Sequence, residues 1–199
     1  MNLIDKWILS YRRKSADFLF DGDDLLFKKL ITTSKTYGEY GVGKSTRWVL
    51  NNSQASVLAV DSSQAWIDVV RTGNETAKRL DIQWIDLGTL GWAGRPVSYE
   101  KRDQFWTYIE SIWNRDQRPD LVLVDGRFRV ACFLYSLAMG TPGTHLLFDD
   151  YTDRPEYHLV EEFIKPVQTC GRQALFTIPE QLDQPLILAT ARQFSYVMD

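Results

Sequence analysis

Apolar residues recur along this chain in two alternating rhythms. Ser56-Val57-Leu58-Ala59-Val60, Ile82-Gln83-Trp84-Ile85, Leu121-Val122-Leu123-Val124 and His145-Leu146-Leu147-Phe148 are short runs rich in branched residues and read as strands. Their continuous apolar character predicts that both faces of the sheet are covered. Between them, positions of helical period predict helices over residues 45–51, 62–72, 99–115, 127–139 and 155–164. In the third of these, Phe105, Tyr108, Ile109, Ile112 and Trp113 recur at spacings of three and four, an apolar stripe that faces the sheet. Strand and helix in alternation make βαβ units, so the fold class is α/β with a doubly wound, mostly parallel sheet. Residues 2–34 read as one or two helices interrupted at Asp21-Gly22-Asp23. The runs 174–178 and 186–190 are expected to close the sheet as a final hairpin.

Composition narrows this picture without redirecting it. A length of 199 residues fits one domain over 1–199, with 1–34 as a helical extension and 35–199 as the α/β core. At 44% hydrophobic and 25% charged residues, disorder and fibrous repeats are excluded. No uncharged apolar run approaches the roughly 18 residues of a membrane span, so no membrane partner is expected. Asp5 and Lys6 place charge where a signal peptide needs its apolar stretch, and Cys132 and Cys170 are too few for a disulfide framework. A cytoplasmic location is the expectation. Net charge is −3 and no basic stripe forms, so the expected partner is a small molecule rather than nucleic acid. Oligomeric state is not legible.

Open sheets of this kind bind ligands at the carboxyl ends of their strands. The first end, Gly38-Glu39-Tyr40-Gly41-Val42-Gly43-Lys44-Ser45-Thr46, admits two readings. From Gly38 it spells the phosphate loop G-x-x-x-x-G-K-[ST], which implies a nucleotide hydrolase or kinase. From Glu39 it is an acid followed by a Gly41-x-Gly43 bend that joins strand to helix and lets the backbone approach a nucleoside or amino-acid moiety. The second end favours the latter: Asp61 lies twenty residues after Gly41, placed to accept hydrogen bonds from ribose hydroxyls. Asp86 ends the third strand before a loop rich in Gly, Trp and Pro (residues 89–96) and can meet an adenine amino group. Asp125 and Asp149-Asp150 end the fourth and fifth. Those three carboxylates can hold a hard divalent cation, or be neutralised by Arg95, Arg127, Arg129 or Arg154. His145 and His158 read as structural.

Together these strand ends resemble the class I S-adenosylmethionine-dependent methyltransferases, and most of all small bacterial methyltransferase-like proteins. The residues that carry the likeness are Glu39 to Thr46, Val60-Asp61-Ser62, Asp86-Leu87-Gly88 through Arg95-Pro96, Leu121 to Arg127, and Phe148-Asp149-Asp150-Tyr151. The resemblance implies a Rossmann-like sheet of seven strands, the last antiparallel within the late hairpin. It implies S-adenosylmethionine as cofactor, with Glu39, Gly41, Gly43, Lys44 and Ser45 around its methionine part. Asp61 would take the ribose, and Asp86 or its loop the adenine, with Asp125 close by. Ser45 stands where the family has a third glycine.

The spacing from Asp125 to Asp149-Asp150 looks like the metal-dependent catechol-type O-methyltransferases. By that likeness the three would hold Mg2+ and serve catalysis, one of them as the base that deprotonates a hydroxyl. Phe128 stands where those enzymes carry a lysine base. The function implied is methyl transfer to a small hydroxylated molecule or saccharide. The alternatives are a methyltransferase-like domain that binds a nucleoside or a partner without catalysis, and the phosphate-loop nucleotide enzyme.

Overall fold

The computed structural model describes residues 19–20, 23–74 and 78–199. Seven strands form one sheet: β1 (Thr36–Tyr40), β2 (Ser56–Asp61), β3 (Leu80–Trp84), β4 (Leu121–Val124), β5 (His145–Phe148), β6 (Gln168–Cys170) and β7 (Gln173–Thr177). Their spatial order is β3-β2-β1-β4-β5-β7-β6. The first five are parallel; β7 runs antiparallel to β5, and β6 antiparallel to β7. The sheet is therefore the expected one, mostly parallel with a late antiparallel strand. Strand order reverses direction between β1 and β4, which makes their carboxyl ends the switch point where such sheets take ligands.

Side-chain alternation sends successive strand residues to opposite faces. Leu121 and Leu123 join one buried cluster with helices α1 (Leu25–Ile31), α2 (Lys44–Asn52) and α3 (Gln64–Arg71). Val122 and Val124 join the other, with α4 (Phe105–Glu110), α5 (Arg129–Met139) and α6 (Gln184–Phe194). Burial on both sides accounts for the unbroken apolar runs.

Three expectations need correction. The helix expected over 99–115 is a short α4 flanked by 3-10 turns at Arg102–Gln104 and Ser111–Trp113, although every residue of the expected stripe is buried. The segment 155–164 is likewise a 3-10 helix, Pro155–Glu162. The run 186–190 lies inside α6 rather than in a strand: Pro185 sits in its first turn, and Asp183 caps it by accepting a hydrogen bond from Leu186 N (3.1 Å). Ile187 and Ala191, four apart, are its buried face. The hairpin partner of β7 is β6, joined to it at Gly171 with φ +56°. Of the expected extension, α1 falls within the described residues, and residues 1–18 and 21–22 lie outside them.

Candidate functional site

The bend between β1 and α2 is three residues long, Gly41-Val42-Gly43. Gly38 lies inside β1, in register with Leu58 and Val122, so its backbone belongs to the sheet ladder and cannot curl around a phosphate. That corrects the phosphate-loop reading. Gly41 has φ +84°, and its amide donates to the Val60 carbonyl (2.9 Å). A Cβ on Gly41 would stand 2.8 Å from Gly126 Cα, and one on Gly126 would stand 2.8 Å from Gly41 N. Glycine is required on both sides of this contact, which brings the β1 and β4 tips together.

Glu39, at the end of β1, is fully enclosed. Its carboxylate accepts hydrogen bonds from the Thr46 hydroxyl (2.6 Å) and the Ser45 hydroxyl in the first turn of α2. Burial pushes its pKa up to about 7, against the lowering effect of those hydroxyls. Glu39 thus fastens the bend to the helix from beneath, and the Ser45 hydroxyl is spent in the same task. Lys44 opens α2.

Asp61 ends β2 and retains slight exposure. Its Oδ2 accepts from Val42 N (2.8 Å), inside the glycine bend, and its Oδ1 from Ser63 N (2.6 Å). Desolvation raises its pKa to about 6, opposed by these amides and by the Arg127 charge. Two bonded amides leave lone pairs on both oxygens for a further donor. Beside Asp61, the loop after β3 folds back through a bridge between Leu90 and Pro96, and Gly94 O accepts from the Ser62 hydroxyl (3.2 Å). Asp86 sits at the base of this loop, partly exposed, accepting from Gly88 N (3.0 Å) and paired with Lys101 (3.3 Å). The amide and then the ammonium lower its pKa.

The remaining three acids do converge, with oxygens of Asp125, Asp149 and Asp150 all within 4.8 Å of one another. Each is matched by a guanidinium. Arg129 pairs with Asp125 and Asp150 (both 3.0 Å), Arg154 with Asp150 (3.0 Å), and Arg172 with Asp149 (2.5 Å) and Asp150 (2.9 Å). Asp149 is fully buried and also accepts from Gln173 Nε2 (3.0 Å). Arg129 further donates to the carbonyls of Gly126 (3.1 Å) and Asp149 (3.0 Å), stapling the tips of β4 and β5. Three negative charges facing three positive ones leave no net field for a divalent cation, and both oxygens of Asp149 and Asp150 and one of Asp125 are already engaged. The residues do not fit the Mg2+ site that the catechol-type likeness implies. Asp125 is the most accessible of the three acids, and burial with the neighbouring Asp149 raises its pKa against the opposing Arg129 charge.

Phe128 is wholly buried against Phe105 (4.7 Å between centroids) and Tyr108 (5.7 Å), with φ +53°. His145 and His158 bond to Thr177 Oγ1 and the Tyr151 carbonyl (both 3.1 Å), in keeping with structural roles. Three participants were not expected at the site from the sequence. Arg172 closes the acidic cluster from the β6–β7 turn, and Tyr108 accepts from Arg127 N (3.2 Å). Asp199 reaches the start of α5, where its Oδ1 accepts from Arg129 N (2.9 Å). An unbalanced acidic trio is a signal for a third arginine; nothing local announces the other two.

No family model and no curated protein matches the chain. Solved structures do. A methyltransferase-like protein from Silicibacter pomeroyi DSS-3 is 33% identical, with 85% of this chain and 91% of that one covered and a TM-score of 0.75. The N-methyltransferase NodS from Bradyrhizobium japonicum WM9, in complex with S-adenosyl-L-homocysteine, shares the fold at 14% identity, with 86% and 98% covered and a TM-score of 0.51.

Proposed function

The chain belongs to the class I methyltransferase-like family, and from that premise we propose that it binds S-adenosylmethionine across the tips of β1 and β2 and transfers its methyl group to a small hydroxylated molecule or saccharide. The observation that carries this reading is the hydrogen bond from Val42 N to Asp61 (2.8 Å). It couples the glycine bend to a carboxylate on the neighbouring strand tip, the pair of features an adenosyl amino acid requires. The S-adenosyl-L-homocysteine bound by NodS, which shares the fold, supports the same ligand class.

The donor chemistry fits. Asp61 is an acceptor-only group when ionised, suited to a ribose diol. The side-chain-free backbone at Gly41 and Gly43, just before α2, suits the close approach of the methionine part. Glu39 and the Ser45 hydroxyl shape that bend from below. Leu87, Leu90 and Asp86 border the adenine side.

Bound S-adenosylmethionine supplies an electrophilic methyl on a sulfonium, and its transfer leaves a thioether while the acceptor hydroxyl loses a proton. The chain's contribution is chiefly placement of the two partners. Of the expected catalytic acids, Asp149 is sealed in its pair with Arg172, and Asp150 is held by three arginines. Asp125, whose side chain is the most exposed of the three, is the one that can reach an acceptor hydroxyl as proton acceptor. A small acceptor accords with the absence of a basic stripe in the sequence. No helix among the described residues is long and apolar enough to cross a membrane. With both cysteines free, that accords with a cytoplasmic location.

Calorimetry with S-adenosylhomocysteine tests the reading. Asp61→Ala should weaken binding by about 1–3 kcal/mol, roughly fivefold to 150-fold. Unchanged affinity would remove Asp61 from the ribose, and a wild-type protein that binds ATP but no adenosyl compound would overturn the assignment. Binding of the ligand without turnover on any hydroxylated acceptor would favour the non-catalytic alternative, for which the buried Phe128 already speaks.

A further inference from the structure

Tyr108 brings a hydroxyl to the centre of the site, and nothing in the proposed reaction yet uses it. The residue lies in the short helix α4, and its ring is buried against Tyr40 (6.1 Å between centroids) and Phe128 (5.7 Å). A ring packed on both sides fixes the position of its oxygen. That oxygen stands where the β1 and β4 tips meet. A Cβ on Gly126 would strike it, and the same Cβ would stand 2.8 Å from Gly41 N. A phenylalanine would fill the ring's place and leave the tip contact roomier, so packing alone does not call for a hydroxyl there.

Its hydrogen bonding is half complete. Oη accepts from Arg127 N (3.2 Å), and no oxygen among the described residues accepts its proton. The neighbouring Tyr40 differs: its hydroxyl donates to the Ile109 carbonyl (2.6 Å) and accepts from Ser136 Oγ (3.4 Å). A phenol can donate as well as accept, and an enclosed donor left unspent is destabilising until a partner arrives. Burial, and after it the Asp61 charge, holds the Tyr108 pKa well above 10 against the Arg127 amide and guanidinium, so the group stays a neutral donor. Gly41 on one side of it and Arg127 on the other both keep partial exposure, so the spot opens toward the cleft.

The chemistry of the missing partner follows from these groups. It is a hydrogen-bond acceptor, because the donor is what remains unspent. The Arg127 charge, felt at Tyr108, favours an acceptor that is itself negative. We propose that the Tyr108 hydroxyl donates to the amino-acid carboxylate of the adenosyl cofactor, beside the Gly41 bend. This rests on the methyltransfer reading and adds to it the residue that tells an adenosyl amino acid from a plain adenosyl thioether. Asp61 and Tyr108 then hold the ligand at two points, the ribose diol at the β2 tip and the carboxylate between the tips of β1 and β4.

The test compares wild-type protein with Tyr108→Phe by calorimetry. The ligands are S-adenosylhomocysteine and its decarboxylated analogue, which keeps the adenosine, the thioether and the amine. Tyr108→Phe should bind S-adenosylhomocysteine at least about tenfold more weakly than wild type, the loss of one charge-assisted hydrogen bond. The decarboxylated analogue should bind both proteins alike. An unchanged affinity for S-adenosylhomocysteine overturns the proposal. So does an equal loss for the two ligands, which would make Tyr108 a support for the bend rather than a partner of the carboxylate. A wild-type protein that binds neither ligand would sink the methyltransfer reading itself, and the wild-type titrations alone tell that outcome from the other two.

Discussion

Glu39 brings an ionisable carboxyl into a position with no exposure, and the fold bears the consequence at neutral pH. Its pKa in the folded chain, about 7, lies above the ordinary 4.5, so the folded state prefers it protonated. That preference is fully present below about pH 4.5 and lost as pH rises through 7. At about 1.4 kcal/mol per pH unit, the fall amounts to roughly 3 kcal/mol. Asp61, raised from 3.8 to about 6, loses stabilisation in the same direction between about pH 4 and 6. Glu39→Gln keeps an oxygen for one of the two α2 hydroxyls and removes the charge. Urea unfolding at pH 5 and pH 8 should show the wild type losing roughly 2.5 kcal/mol more than Glu39→Gln over that interval; an equal loss in both would show that Glu39 does not carry the effect. At this scale the sequence was informative where chemistry follows from spacing. An acid at a strand tip, as at Asp61, is visible from its distance to Gly41. Which way a carboxylate turns is not: Glu39 faces the hydroxyls of Ser45 and Thr46, and the Asp125–Asp149–Asp150 group faces arginines. Those directions depend on residues brought near only by the folded chain, as Arg172 shows at Asp149, 23 positions before it.

Between elements, the decisive contact is the back-to-back approach of the β1 and β4 tips. A Cβ on Gly126 would stand 2.7 Å from the Tyr40 carbonyl carbon and 2.8 Å from Gly41 N, and would also strike the Tyr108 hydroxyl. Two of those three neighbours are backbone and cannot swing aside. Gly126→Ala should therefore cost about 1–3 kcal/mol of stability and weaken S-adenosylhomocysteine binding by displacing the Gly41 bend. Gly143→Ala is the matched control: its φ is +89° but its Cβ would meet nothing within 4 Å, so any cost there is backbone strain alone and ligand affinity should hold. Thermal unfolding and calorimetry on the two variants separate these effects, and equal ligand affinity in Gly126→Ala and wild type would break the link between the tip contact and the bend. Strand positions were legible in the sequence because short continuous apolar runs suit a sheet covered on both faces. The last helix was not, because Leu186-Ile187-Leu188-Ala189 has the same unbroken look. The capping Asp183 and Pro185 held the information, and a reading by apolar run alone passes over them.

For the molecule as a whole, the mouth of the cleft is built from chain segments that are distant in sequence. The loop after β3 folds against the β2 tip through Ser62 and Gly94, and Tyr99 at its far end donates to Tyr196, beyond α6. Phe105 packs against Tyr99 and Tyr196 (6.1 and 6.4 Å between centroids), so one ring joins the loop to the segment after α6. A ligand that rests on Asp61 touches the first of these supports, and its effect is transmitted along the loop toward Lys101 and Arg102. Arg102 is exposed and Lys101 partly so, which makes this stretch open to trypsin in the free protein. Saturating S-adenosylhomocysteine should slow cleavage after Lys101 and Arg102 severalfold, since cutting there follows local opening and bound ligand lowers the population of open states. Cleavage elsewhere on the surface, such as after the exposed Lys35 at the amino end of β1, serves as the internal reference. Identical cutting at 101–102 with and without ligand would show that the loop after β3 does not close over the adenosyl site, and the wall of the cleft would then have to be sought on the α5 side, where Arg127 and Asp199 meet.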